Sequence, residues 1–230
     1  MFVVAQDFNR LPYNLMIESA NESTFQDFVN YHEEERLRKL LGNLFYDSMV
    51  TGFNALPAVY SEGTYTIDQL VIYVSASKAD IYKSLENDNT ALPTDATKWE
   101  KQPLNRWARL VYGDTYEYFD HEQKWYGMNR LVKPLIYSLW TEYNYDAQLN
   151  SGVVVSTKEN SSVISPNQRI IRGWNEFANW AGSNCDVENT LFGFLYYCGY
   201  FDDDVVGYSD MKNYLSFQFC DPGKMNLFDL

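Results

Sequence analysis

Histidine occurs only twice in this chain of 230 residues, at His32 and His121, and cysteine three times, at Cys185, Cys198 and Cys220. Two distant histidines and no CxxC pair exclude the common zinc sites. An odd number of widely spaced cysteines excludes a disulfide framework. The three read as free, mostly buried thiols in a reducing compartment. Basic residues are scarce as well: 18 Lys and Arg stand against 31 Asp and Glu, a formal net charge of -13. That balance argues against gripping nucleic acid through its phosphates, and against an anionic membrane surface. No run of about 18 apolar residues occurs, so no membrane-spanning helix is expected. Residues 1–7 carry no basic stretch and too short an apolar run for a signal peptide, so none is expected.

Catalytic signatures are missing too. The chain has no GxSxG, no Walker loop, no HExxH and no GxGxxG. Asp202, Asp203 and Asp204 cluster carboxylates as a hard cation requires, yet the spacing and turn glycine of an EF-hand loop are absent. The run reads as a solvated acidic loop. None of the 31 acids is singled out as half of a glycosidase pair. No catalytic, cofactor-binding or metal-ligating residue is assigned, and the expectation is a protein without enzymatic activity.

Aromatic side chains, by contrast, are abundant. They make up 17% of the chain, with 19 tyrosines. Tyrosine offers area and one hydroxyl at little entropic cost, so a surplus suits polar-aromatic contact surfaces as well as the edge of a core. Hydrophobic residues at 46% are enough for a packed domain.

Along the chain, residues 1–22 read as irregular, with a short strand at 2–4 and an extended arm around Pro12, because a residue before proline is driven out of the helical region. Ser23 or Thr24 caps a long amphipathic helix over 24–52, on which Phe25, Phe28, Val29, Leu40 and Leu44 recur at helical spacing. Glu33, Glu34 and Glu35 precede Arg36, Arg38 and Lys39 there and read as a solvated face with i,i+4 pairs. Gly42 marks a kink or a close backbone approach. Residues 58–103 change texture: Leu70-Val71-Ile72-Tyr73-Val74 and Asp80-Ile81-Tyr82-Lys83-Ser84 alternate as strands, with turn chemistry at 87–90 and 93–95. Helix resumes at 104–112, stopped by Gly113, and 115–126 reads as a hairpin arm. Further helices are expected at 127–145, from Pro166 with Ser165 as cap, and at 185–199. Pro134 predicts a kink or a later start in the first of these. The expected fold is mainly α. A helical-bundle core (1–57 and 104–230) carries an inserted small β module at 58–103 and extended terminal arms.

Two sets of motifs carry a resemblance. Tyr13-Asn14-Leu15, Phe25-Gln26-Asp27-Phe28-Val29-Asn30-Tyr31, Leu40-Leu41-Gly42-Asn43-Leu44-Phe45-Tyr46 and Trp107-Ala108-Arg109-Leu110-Val111-Tyr112-Gly113 form the first set. Trp125-Tyr126-Gly127-Met128, Ser165-Pro166, Trp174-Asn175 and Pro222-Gly223-Lys224-Met225-Asn226 complete it. Through these, 1–56 and 104–230 resemble the head-to-tail adaptor (connector ring) proteins of tailed bacteriophages, especially the crAss-like type. The insertion is similar to small chitin-binding-like modules, through Tyr65, Val71-Ile72-Tyr73, Ile81-Tyr82-Lys83, Asn89, Pro93 and Lys98-Trp99, with Asp68-Gln69 where such modules carry Gly-Asp. That pattern leaves Trp99 open between a core anchor and a ligand platform.

The resemblance implies a structural virion protein, made in the bacterial host cytoplasm. It would form a homo-oligomeric ring, a dodecamer, in the neck between portal and tail, in contact with the portal protein and other neck or tail rings. Genomic DNA would pass through without specific binding, and no membrane is involved. Asp202, Asp203 and Asp204, or the Glu33 run, would then line an acidic lumen. The alternative implied by the insertion is a glycan-binding tail decoration, with Tyr65, Tyr73, Tyr82 and Trp99 as the contacts to sugar or partner.

Overall fold

The computed structural model of the chain describes residues 2–15, 17, 21–75, 78–103, 105–150, 166–182 and 188–200. Six α-helices and five strands in two small sheets alternate along them. About 50% of the described residues are helical and 17% are in strands, so the fold is mixed α/β, and the expectation of a mainly α bundle is overturned. The hairpin after the third helix accounts for the difference: it is built into the helical core and adds a second sheet to the three strands of the module. The N-terminal segment wraps back onto that core instead of leaving it as an arm.

The expected long first helix is two helices, α1 (Glu22–Leu41) and α2 (Asn43–Asn54). Gly42 lies between them at φ 79° and ψ 154°, a backbone state that a side chain makes costly, and it ends one helix while opening the next. The break lets Phe25, Val29, Leu37 and Leu41 of α1 and Phe45 and Met49 of α2 enter one core from different directions.

Residues 2–8 are clamped between helices. The backbone amides of Phe2 and Val3 donate to the Glu33 carboxylate at 2.9 to 3.2 Å, and that of Ala5 donates to Gln26 Oε1 at 2.8 Å. No strand forms at 2–4; a 3-10 turn, Ala5–Phe8, follows directly. The Leu15 amide then donates back to the Phe8 carbonyl at 2.8 Å, closing a compact loop in which Phe8 and Tyr13 are buried. The expected C-terminal arm, 201–230, lies outside the described residues.

Strands β1 (Leu70–Ser75), β2 (Lys78–Ser84) and β3 (Trp99–Lys101) form an antiparallel sheet in that order, with Ile72 opposite Ile81 and Ser84 opposite Trp99. Alternation splits the side chains between two faces. Ile72, Ala79 and Ile81 pack on Ala108 of α3 (Arg106–Tyr112). Val71 and Trp99 join Tyr65 in a second small cluster on the other side. Asp68 takes the left-handed conformation, φ 65°, in the turn leading to β1, and the Gln69 amide closes that turn on the Thr66 carbonyl. A glycine is therefore not required there, because aspartate tolerates this region.

Asn105 caps α3 by accepting from the Trp107 amide, and Gly113, at φ 99°, ends the helix. Strands β4 (Asp114–Tyr118) and β5 (His121–Trp125) follow as a hairpin. Tyr116 and Trp125 of the hairpin are buried in the main core, and the Trp125 indole donates to the Leu110 carbonyl at 2.7 Å. Helix α4 (Met128–Asn150) runs continuously through Pro134 and packs along α5 (Pro166–Ala181). The approach is close at Gly173, where an added Cβ would stand 2.8 Å from the Pro134 carbonyl oxygen. Helix α6 (Leu191–Tyr197), capped by Thr190, closes the core with Leu191, Phe194 and Leu195.

Candidate functional site

The β module gathers the four aromatics singled out in the sequence, but it uses them differently. Trp99 is 2% exposed and its indole N–H donates to the Ala91 carbonyl at 2.9 Å. Tyr65 is 8% exposed, and its hydroxyl donates to the Ser61 carbonyl. Their rings meet edge to face at 5.3 Å. Both residues therefore anchor the module's interior. Tyr73 and Tyr82 stand half-buried on the outside, 6.3 Å apart. Tyr60, which the sequence pattern did not point to, joins them: it stacks on Tyr65 at 5.4 Å and meets Tyr73 at 5.9 Å. The interior is tied together by Asn89. Its side-chain nitrogen donates to Ser84 Oγ and the Lys98 carbonyl, and its oxygen accepts from the Ala91 amide, all at 3.0 Å.

The two acidic runs separate. Asp202, Asp203 and Asp204 lie outside the described residues. Glu33 is not part of a solvated face: it is buried, holding the Phe2 and Val3 amides, while burial pushes its carboxyl pKa up and those amides pull it back. Glu34 and Glu35 do face outward and pair with Arg38 and Lys39 at 2.8 and 2.6 Å. Among the described residues no group of three His, Cys, Asp or Glu side chains could hold a metal ion. His32 sits against Phe28, and burial first of all lowers its pKa. Cys198 is a free thiol whose pKa burial raises, so it is poorly nucleophilic. Cys185 and Cys220 lie outside the described residues. Among those residues no helix is long and apolar enough to cross a membrane.

Two features emerge that the sequence did not announce. The first is the tip of the β4–β5 hairpin. Phe119 and Asp120 form its two-residue turn with φ 45° and 61°, as a tight hairpin demands. Asparagine or glycine normally occupies such a turn; a bulky side chain there is strained. Phe119 is nonetheless 77% exposed, with Tyr118 4.5 Å away. Tyr118 in turn meets Tyr197 of α6 at 5.2 Å, and Tyr197 meets the exposed Tyr196 at 5.1 Å. An aromatic patch thus spans the hairpin tip and the end of α6.

The second is the loop around the cis Leu11–Pro12 bond. Leu11 is 87% exposed, and a hollow opens on either side of the Leu11-Pro12-Tyr13 ridge, of about 330 and 460 Å³. Arg169 and Arg172 line the first; Arg10, Arg130 and Lys133 line the second. These five cations come from three regions far apart in sequence, so no local charge pattern could reveal them.

Compared with family models, curated proteins and solved structures, the chain matches none.

Proposed function

We propose that the chain is a structural virion protein. It forms a ring in the neck of a tailed phage, joining the portal and head to the tail and letting DNA pass. The ring and its dodecameric symmetry come from the resemblance of the helical motifs. The observation that supports an assembly role is Phe119. The hairpin places a large apolar side chain in solvent, at a backbone conformation that costs roughly 1–2 kcal/mol for such a residue. Folding alone favours asparagine or glycine there, so a strained and exposed aromatic is best explained by a contact made after folding. The excess of carboxylates suits a wall past which DNA slides, because it offers phosphate no net attraction.

Copy number per purified particle tests the reading. Quantitative mass spectrometry against the portal protein should give about one chain per portal subunit; absence from particles overturns the proposal. At the level of the residue, Phe119→Asn should raise the stability of the isolated chain by about 0.5–1 kcal/mol while reducing its incorporation into particles. A variant that incorporates normally removes the hairpin tip from the argument.

A second reading, a glycan-binding tail decoration, is supported by the outward rings of Tyr60, Tyr73 and Tyr82. It requires sugar binding that Tyr82→Ala abolishes with the fold intact, and a copy number in particles unlike that of the portal.

A further inference from the structure

The basic ridge at Leu11-Pro12-Tyr13 is out of keeping with the chain that bears it. The molecule carries a formal charge of -13, yet five of its 18 cations meet around this one loop. Two carboxylates, Asp7 and Glu176, share the lining. Asp7 is already engaged, by Lys133 at 3.1 Å and by Asn129 at 3.1 Å. Arg130 lies over the Trp180 ring at 4.9 Å. Arg10, Arg169 and Arg172 are exposed and have no carboxylate partner among the described residues. Between the hollows stands Tyr13, 6% exposed and lining both cavities, with the Glu176 carboxylate facing its hydroxyl. That carboxylate is engaged with the phenol and makes no ion pair with the exposed arginines beside it. The site therefore lacks a chain of acceptors, and carboxylates best meet guanidinium groups.

We infer that the two hollows bind the acidic stretch Phe201-Asp202-Asp203-Asp204-Val205-Val206 of a second copy of this chain. That stretch holds three consecutive carboxylates, with no Lys or Arg between Gly199 and Met211 to neutralise them. The other acidic run is already committed: Glu33 holds the N-terminal amides, and Glu34 and Glu35 have Arg38 and Lys39. The flanking Phe201, Val205 and Val206 match the apolar surface of Leu11, Pro12 and Tyr137. A basic hollow on one copy and an acidic segment on the next make a heterologous contact, the kind that closes into a ring. The inference rests on the ring reading and gives the acidic run a role in subunit contact in place of lining the lumen.

The test uses full-length protein and two charge-reversed variants. Arg169→Glu with Arg172→Glu removes the acceptor but keeps the acidic stretch. Asp202→Lys with Asp203→Lys does the opposite. Each alone should lose self-association by about ten-fold or more relative to the wild type, as read by mass photometry. Mixed together, they should associate again, because the acidic stretch of the first variant meets the basic hollow of the second, and the reversed charges of the other two surfaces are complementary as well. Wild-type association should weaken as salt is raised. Variants that assemble like the wild type, a mixture that stays monomeric, or a wild-type chain monomeric at every concentration would each overturn the inference. The milder Arg169→Gln, Arg172→Gln pair, with an unchanged melting temperature, separates loss of contact from loss of fold. Copy number in particles is measured independently, so a normal ratio alongside failure here would retire this contact and leave the ring reading standing.

Discussion

Gly52→Ala gives the sharpest test of how this core is packed. Gly52 lies inside α2, where alanine is ordinarily worth about 1 kcal/mol more than glycine. Here an added Cβ would fall 2.0 Å from Trp107 Cδ1, 2.2 Å from Nε1 and 2.4 Å from Cγ. Ordinary carbon contacts lie at about 3.5–4.0 Å, so the indole must retreat by about 1.5 Å. It has little room to do so, because Phe45 and Tyr200 face it at 5.8 and 6.4 Å. Overpacking of this kind costs about 1–3 kcal/mol, and expelling the ring altogether would forfeit a comparable burial term. After the propensity gain of about 1 kcal/mol, the net loss should reach up to about 2 kcal/mol, at that limit a fall in melting temperature of about 4–8 °C for a chain of this size. Urea unfolding of four proteins completes a double-mutant cycle: wild type, Gly52→Ala, Trp107→Ala and the double variant. With the indole removed, Gly52→Ala should turn stabilising, by about 1 kcal/mol. The same sign in both backgrounds would refute the reasoning.

Two further predictions concern other parts of the fold. Asn89→Ala leaves the Ala91 amide and the Lys98 carbonyl without their side-chain partner, and should destabilise the β module by about 2–4 kcal/mol. Hydrogen exchange should then quicken over 60–101 and stay slow in α4; uniform quickening would show that the module does not unfold by itself. At alkaline pH, Tyr46 matters: burial, then the Glu33 and Glu34 carboxylates, push its phenol up to about 12. The folded chain therefore holds a proton that the unfolded chain has lost, and stability should fall as pH rises from about 10 to about 12. Tyr46→Phe should flatten that fall in urea midpoints measured across the window, and an unchanged slope would remove Tyr46 as its cause.

Much of the local structure was legible because it rests on short-range chemistry. The β1 and β2 strands follow from period-two alternation at 70–74 and 80–84, and the end of α3 from Gly113. The break at Gly42 was legible only as a possibility, since one glycine is compatible with a kink, a close approach or two separate helices. Glu33 was misread for a physical reason. Its neighbours Glu34 and Glu35 share its charge pattern, and only the chain folding back from Phe2 supplies the amides that make its burial tolerable. The N-terminal arm failed likewise. Pro12 does exclude helix, but whether the chain then extends or closes on Phe8 is settled by contacts distant in sequence.

The candidate sites divide along the same line. Tyr65, Tyr73, Tyr82 and Trp99 were pointed to by the resemblance of the insertion to chitin-binding-like modules, but not which of them points inward, because a sequence pattern does not say what covers each side chain. Nothing local marks Arg10, Arg130, Lys133, Arg169 and Arg172 as neighbours, and nothing local reveals that Phe119 is strained. Composition and local pattern by themselves determined the acidic surface, the wealth of tyrosine and the placing of most helices and strands. These depend on residue type and on neighbours within a few positions. Tertiary structure alone decided the mixed α/β architecture, the buried Glu33, the basic ridge and the exposed hairpin tip, because each depends on segments that meet only when the chain closes on its core.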